Sequence, residues 1–161
     1  MLLGASPLRL SFAGGGTDLK EYYENFEGSV VSSAINHFTY VIVTPRQDNS
    51  FQVFSSDFQV HFKPTKYNDL KPERGSELAV TAVKSLDYQS GMNLICSSEV
   101  TPGSGLGASS SLAVNLVKTI STLKKEKMGN KEIAEIAYDI GRNKLNWFIG
   151  KQDEYISAFG G

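Results

Sequence analysis

Between Val100 and Leu112 the chain reads Thr101-Pro102-Gly103-Ser104-Gly105-Leu106-Gly107-Ala108-Ser109-Ser110-Ser111, with glycines at alternate positions followed at once by a helical pattern. Glycines spaced this closely let backbone approach a ligand where a Cβ would obstruct it, and they allow several N–H groups to converge on one anion. From Ser109 onward Leu112, Leu116, Ile120 and Leu123 recur at helical spacing, the core stripe of an amphipathic helix. A loop that runs into a helix adds the unpaired N–H groups of the first turn, and the positive end of the macrodipole, to an anion site. Ser109, Ser110 and Ser111 fall at that turn, where a hydroxyl can cap the helix, bind phosphate or ligate Mg²⁺. The segment is therefore a candidate phosphate cradle, with a plain glycine-rich turn and serine cap as the structural alternative. Other nucleotide patterns fit poorly. No Lys follows the glycines as G-x-x-x-x-G-K-[ST] requires, and the G-x-G-x-G spacing is not G-x-G-x-x-G.

The remaining pattern alternates strands and helices. After Gly14-Gly15-Gly16, Leu19, Tyr22, Tyr23 and Phe26 stand at helical spacing before Gly28, which predicts a short helix. Val30 to Ile35 and Phe38 to Thr44 are rich in β-branched and aromatic residues and read as two strands, the second closed by Pro45. Phe51 to Phe54 and Phe58 to Phe62 predict a hairpin with one wet face, on which His61 falls. Glu77 to Leu86 reads as a helix and Met92 to Val100 as a strand. A further helix is expected from an Asn130 N-cap to about Trp147 or Phe148, which would pack at its end, with Ile133, Ile136, Ala137 and Ile140 inward. Strands followed by helices predict an α+β fold: a mixed, largely antiparallel sheet covered by helices on one face.

The balance of charge narrows the partners. Lys and Arg number 16 against 17 Asp and Glu, a net charge of -1. Neither a nucleic-acid nor a membrane-surface role has electrostatic support. No apolar run approaches the roughly 20 residues that cross a bilayer, and Met1-Leu2-Leu3 is no signal peptide, so a cytoplasmic protein is expected. The single cysteine, Cys96, lies in an apolar run and reads as a buried structural thiol. His37 and His61 form no zinc-ligand pattern with it.

Three segments in order resemble the GHMP kinases, a family named after galactokinase, homoserine kinase, mevalonate kinase and phosphomevalonate kinase. Pro7-Leu8-Arg9-Leu10-Ser11-Phe12-Ala13-Gly14-Gly15-Gly16-Thr17-Asp18-Leu19 is similar to the family's amino-terminal substrate motif. Pro102 to Ser111 is similar to its ATP loop, P-x-x-x-G-L-G-[SA]-S-[SA], and Gly150-Lys151-Gln152-Asp153-Glu154-Tyr155 to Gly161 resembles the segment with the catalytic aspartate in the sugar-kinase branch. The resemblance implies the GHMP amino-terminal fold, like domain 2 of ribosomal protein S5, over residues 1–161. The wording S-F-A-G-G-G-T-D with G-K-Q-D-E-Y most resembles the branch that phosphorylates the anomeric hydroxyl of D-glycero-D-manno-heptose 7-phosphate, although kinases for other sugars, galactokinase-like ones included, share much of it.

What the resemblance implies for single residues divides as phosphoryl transfer requires: a positioned hydroxyl, Mg²⁺, and donors for the spreading charge. Asp153 would orient and deprotonate the sugar hydroxyl, with Arg9 paired to keep it ionised. Pro102, Gly103, Ser104, Gly105, Leu106, Gly107, Ala108, Ser109 and Ser110 would hold ATP, and Ser109 would also ligate Mg²⁺. Gly14, Gly15, Gly16, Thr17, Asp18 and Gln152 would meet the sugar or sugar phosphate. Asp18 reads equally as the N-cap of the following helix, and Asp153 has a helix cap as its plainer alternative. One position departs from the family: Gly141 stands where an acidic Mg²⁺ ligand is usual, with no evident structural gain, and Asp139 is two residues away on the wrong side of a helix. The abrupt end at Gly160-Gly161 predicts a truncated chain lacking the family's carboxy-terminal domain. Activity would then be low or absent, and a non-catalytic sugar- or nucleotide-binding module is the competing expectation.

Overall fold

The computed structural model describes residues 1–161. Six strands, β1 (Leu2–Ala13), β2 (Val31–Pro45), β3 (Ser50–Ser55), β4 (Val60–His61), β5 (Thr65–Lys66) and β6 (Met92–Ser98), form one sheet. Its order is β1-β2-β6-β3-β4, with β5 also paired to β3; β3 and β6 run parallel and all other neighbours antiparallel. The helices are α1 (Lys20–Tyr23), α2 (Glu77–Ser85), α3 (Ala108–Leu123), α4 (Asn130–Asp139) and α5 (Gln152–Phe159), and a π-helical turn, Ile140–Lys144, extends α4. The α+β reading with a mixed sheet holds.

Two strands expected at Val30–Ile35 and Phe38–Thr44 are one. In β2 Ile35 pairs with Leu8 and Phe38 with Pro7, so Asn36 and His37 bulge from a continuous strand. The partner strand β1 was illegible because Gly4, Ala5, Ser6 and Pro7 interrupt its apolar residues. Proline is tolerated there because β1 is an edge strand and Pro7 lies at the register shift. The hairpin forms, but its second strand shrinks to Val60–His61, with His61 exposed. Helix α1 is a single turn that buries nothing, so its aromatic spacing is a solvated face. Gly129 rather than Asn130 is the N-cap of α4.

The core lies between the sheet and helices α2, α3 and α4. Val41, Val43, Met92, Leu94 and Cys96 from the sheet meet Val80, Val83, Leu116, Val117, Ile120, Ile133 and Ile140. The expected stripe of α3 is buried at Leu116 and Ile120 and half-buried at Leu112 and Leu123. A second, polar stripe on α3 is buried as well. Ser111 Oγ donates to Ser6 O (3.0 Å), Asn115 Nδ2 donates to Gly4 O (3.1 Å) and Thr39 O (2.8 Å), and Thr119 Oγ1 donates to Asn115 Oδ1 (3.1 Å). These spacings of four put the side chains on one helical face, so the stripe bolts α3 across β1 and β2 through backbone carbonyls.

The approach is close enough to require glycine. A Cβ at Gly4 would stand 2.2 Å from both Asn115 Oδ1 and Thr119 Oγ1. Gly4→Ala is expected to destabilise the fold by about 1–3 kcal/mol through overpacking. Asn115→Ala, which strands two carbonyls, is expected to cost about the same. Urea unfolding of each variant measures both.

Candidate active site

The glycine loop adopts the left-handed backbone that its sequence requires. Gly103, Gly105 and Gly107 have φ of 82°, 77° and 73°. Added Cβ atoms at Gly103 and Gly105 would point into open space, and Gly107 is the N-cap of α3. The loop thus presents an open, backbone-lined rim at the positive end of a helix that Ser111 and Asn115 anchor to the sheet. Ser111 is committed to the β1–α3 anchor, whereas the hydroxyl of exposed Ser109 makes no hydrogen bond within the protein and is free to meet a ligand. Pro102, Ala108, Ser109 and Leu112 also line a cavity of about 180 Å³ with Phe58 and Trp147. Trp147 packs at the helix end as expected; Phe148 instead is exposed beneath the Arg142 guanidinium, 5.3 Å from its ring centroid.

Arg9, on β1, joins the loop to the far end of the sequence. Its Nε and Nη2 each donate to Asp153, at 2.7 Å to Oδ1 and 2.7 Å to Oδ2, a bidentate fork. Nη1 donates to Gly105 O at 2.6 Å, and the Arg9 backbone N–H donates to Leu106 O at 3.1 Å. Asp153 is the second residue of α5 and caps nothing, so the helix-cap alternative fails. Both side chains are largely shielded, at 11% and 20% exposure for Arg9 and Asp153, so the pair gains more than a surface salt bridge would. Asp153 lies directly under the loop: a Cβ at Gly107 would come 3.0 Å from its Oδ2.

The amino-terminal motif closes the other side. Gly14 (φ 82°) is forced by the backbone of Ser29, whose carbonyl oxygen would stand 1.9 Å from a Cβ. Thr17 Oγ1 sits within hydrogen-bond reach of Gly14 O and Ser29 O and accepts from Ser29 N–H, so it staples the turn. Asp18 does not cap α1. Its Oδ1 accepts from Gly16 N–H and its Oδ2 from Gln152 N–H, both at 3.0 Å, so from a distant part of the chain it satisfies the first N–H of α5, whose N-cap residue is Lys151, and locks the glycine turn to Asp153's helix. Gln152 Oε1 accepts from Ser11 Oγ at 2.9 Å, and its Nε2 faces Gly15. The three motifs, bridged across as many as 150 residues of sequence, are thus in direct contact.

Several neighbours have roles that the sequence did not disclose. Gly141 is buried, and an added Cβ would stand 2.6 Å from the tip of the Ile149 side chain, Cδ1, so a larger residue there would have to displace that tip. Asp139 bonds Asn143 and Lys144 and leaves Gly141's position without an acidic substitute. No cluster of three or more His, Cys, Asp or Glu side chains is placed to hold a metal. Lys151 is held by Glu135 and lies over the rings of Tyr138 and Tyr23, which removes it from the loop. His37 bonds Glu99 at the surface. Glu154, adjacent to Asp153, is the residue most at odds with its chemistry: 1% exposed, with Oε2 unpartnered. Burial pushes its carboxyl up to about 7, against the opposing pull of the Ser110 hydroxyl. The only signal for it was its place with Ser157 on the inward face of α5, and two polar residues make a weak stripe.

The family described as GHMP kinases N terminal domain matches residues 77–161. A D-glycero-alpha-D-manno-heptose 7-phosphate kinase of Campylobacter jejuni is 33% identical over 97% of this chain and 48% of its own length. A galactokinase of Pasteurella multocida is 28% identical over 96% of the chain and 41% of its own. The crystal structure of a D-glycero-D-manno-heptose 1-phosphate kinase from Bacteroides thetaiotaomicron superposes with a TM-score of 0.93 at 26% identity, covering 100% of this chain and 54% of that one. The chain belongs to the GHMP kinase family. It spans about half the length of the curated relatives it matches.

Two outcomes follow from the local geometry. Gly107→Ala must hold a side chain at φ 73° against Asp153, and is expected to cost about 1–2 kcal/mol in thermal or denaturant unfolding. Cys96 is buried, which pushes its thiol up to about 12. A thiol reagent at pH 8 should therefore leave the native chain unmodified and label it once denaturant is added.

Proposed function

We propose that this chain is the ATP- and substrate-binding half of an ATP- and Mg²⁺-dependent sugar kinase acting in the cytoplasm, on the anomeric hydroxyl of D-glycero-D-manno-heptose 7-phosphate. The observation that carries the reading is the Arg9–Asp153 fork suspended beneath Gly105 and Gly107. It puts a carboxylate, oriented from two sides, next to an open anion-binding rim. The heptose phosphate kinases among the relatives support the substrate class.

The chemistry follows from the groups present. The N–H groups of the loop and the first turn of α3 bind the phosphates and carry the charge that spreads over the transferred group. Each Asp153 oxygen keeps a lone pair after accepting from Arg9, and it takes the proton of the sugar hydroxyl as that oxygen bonds to the γ-phosphorus and ADP leaves. Arg9 fixes the carboxylate's orientation and, through Gly105 O, its distance from the loop. Gly14 to Gly16 and Gln152 form the wall facing the sugar, with Asp18 holding that wall in place. Mg²⁺, held by Ser109 and the phosphates of ATP, would neutralise phosphate charge; a phosphate-borne ion suits a chain without a carboxylate cage. The cavity lined by Phe58, Leu112 and Trp147 offers an apolar seat for the nucleoside.

The test is MgATP-dependent phosphorylation of a panel containing heptose 7-phosphate, free heptose, galactose and mannose, with calorimetric titration of ATP and of each sugar. Heptose 7-phosphate is expected to be the preferred acceptor, and Asp153→Asn to lose at least about a hundredfold in turnover with little change in ATP affinity. Preference for galactose would replace the substrate assignment. Binding of both ligands without turnover would make this chain a binding module.

A further inference from the structure

Glu154 is a carboxyl group with nowhere to put a negative charge. It is 1% exposed, and its Oε2 finds no donor. The groups that act on it come from three helices and the glycine turn: the Ser110 hydroxyl in the first turn of α3, Asp153 on its own helix, Asp18 in the glycine turn, and Tyr138 on α4. The Tyr138 hydroxyl is itself buried without a partner. The nearby cations are committed elsewhere, Arg9 to Asp153 and Lys151 to Glu135. An ionised Glu154 would therefore add a second carboxylate beside Asp153 with one oxygen unsatisfied, an arrangement far costlier than a neutral acid.

We propose that Glu154 is a positioning residue of the phosphate loop, a protonated carboxyl that ties the helix bearing Asp153 to Ser110 at the start of α3, and whose deprotonation weakens nucleotide binding. Protonated, its O–H donates to Ser110 Oγ, and the serine keeps its own proton for another acceptor in the first turn. Ionised, the carboxylate can only accept, so the serine O–H turns to donate to it, and a negative charge is set beneath the anion site. The carboxyl's acid dissociation near pH 7 places this exchange in the neutral range.

The sign for stability is fixed by linkage. Glu154 titrates near 7 when folded and near 4.5 when unfolded, so the folded chain keeps a proton that the unfolded chain has released. Stability owed to this proton is complete below pH 4.5 and is lost as pH rises towards 7.

The experiment compares wild type with E154Q, whose neutral amide keeps the size of the acid, at each half pH unit from 5 to 8.5. Without ligand, the melting temperature of wild type relative to E154Q is expected to fall on the order of 5 °C across that range; a constant difference overturns the proposal. The nucleotide arm rests on the ATP-binding reading above. In it, the ratio of wild-type to E154Q Kd for MgATP should rise several-fold to about tenfold with pH, which cancels the titration of ATP itself. The rise should vanish when both proteins also carry Ser110→Ala. A flat ratio, or one unchanged by Ser110→Ala, overturns the link to the loop. Absence of MgATP binding by both proteins at every pH overturns the nucleotide reading and that link with it, while the melting comparison still decides whether Glu154 holds a proton.

Discussion

The position of everything at this site is referred to helix α3, and α3 is fixed by hydrogen bonds rather than by hydrophobic burial alone. Leu116, Ile120 and their apolar neighbours hold the helix against the sheet, but a greasy contact permits sliding. Ser111 and Asn115 remove that freedom by bonding particular carbonyls of Ser6, Gly4 and Thr39, and Thr119 holds the Asn115 amide in place. Gly4 is the concession that lets the two backbones come close enough. The glycine loop can be open and backbone-lined because the helix it enters is pinned one turn further on.

A second device, the Arg9 guanidinium, turns that fixed helix into a reactive geometry. A single planar fork binds Asp153 through two nitrogens and Gly105 through the third, while its own backbone meets Leu106. Lysine could supply the charge but not these directions. Asp18 plays the complementary part from the other side, accepting from the first N–H of α5, at Gln152, and holding the glycine turn against it. The carboxylate beneath the loop is therefore set by the strand before it and the turn beside it, and α5 serves as the platform.

Polar burial sets a limit on how such a site can be built. Asp153 is shielded but paired, whereas Glu154 is buried without a cation, and the same helix carries both in succession. Two carboxyl groups that close differ in their partners: a guanidinium meets Asp153, and Glu154, without one, is driven by burial towards the neutral acid. Gly141 shows the apolar counterpart, with Ile149 occupying the space where a longer side chain would otherwise stand.

The sequence by itself determined the parts whose physics is local. Alternating glycines demand left-handed backbone whatever surrounds them, so the loop at Gly103 to Gly107 and the helix after it were legible, as were the main strands and helices, α2, β6 and α4 among them. The three motifs identified the family and named Arg9 and Asp153 as partners. Tertiary structure decided what depends on distant chain meeting distant chain. Strand β1 was hidden because its small residues and Pro7 suit an edge position that only the sheet defines, and the bulge at Asn36-His37 split one strand into two apparent ones. Asp18 had two equal readings as a helix cap or a sugar ligand; the fold gave it a third task, at α5, some 134 residues away. Glu154 looked like any surface acid next to a motif, because burial is a property of packed neighbours and leaves no mark on the residue's own letter.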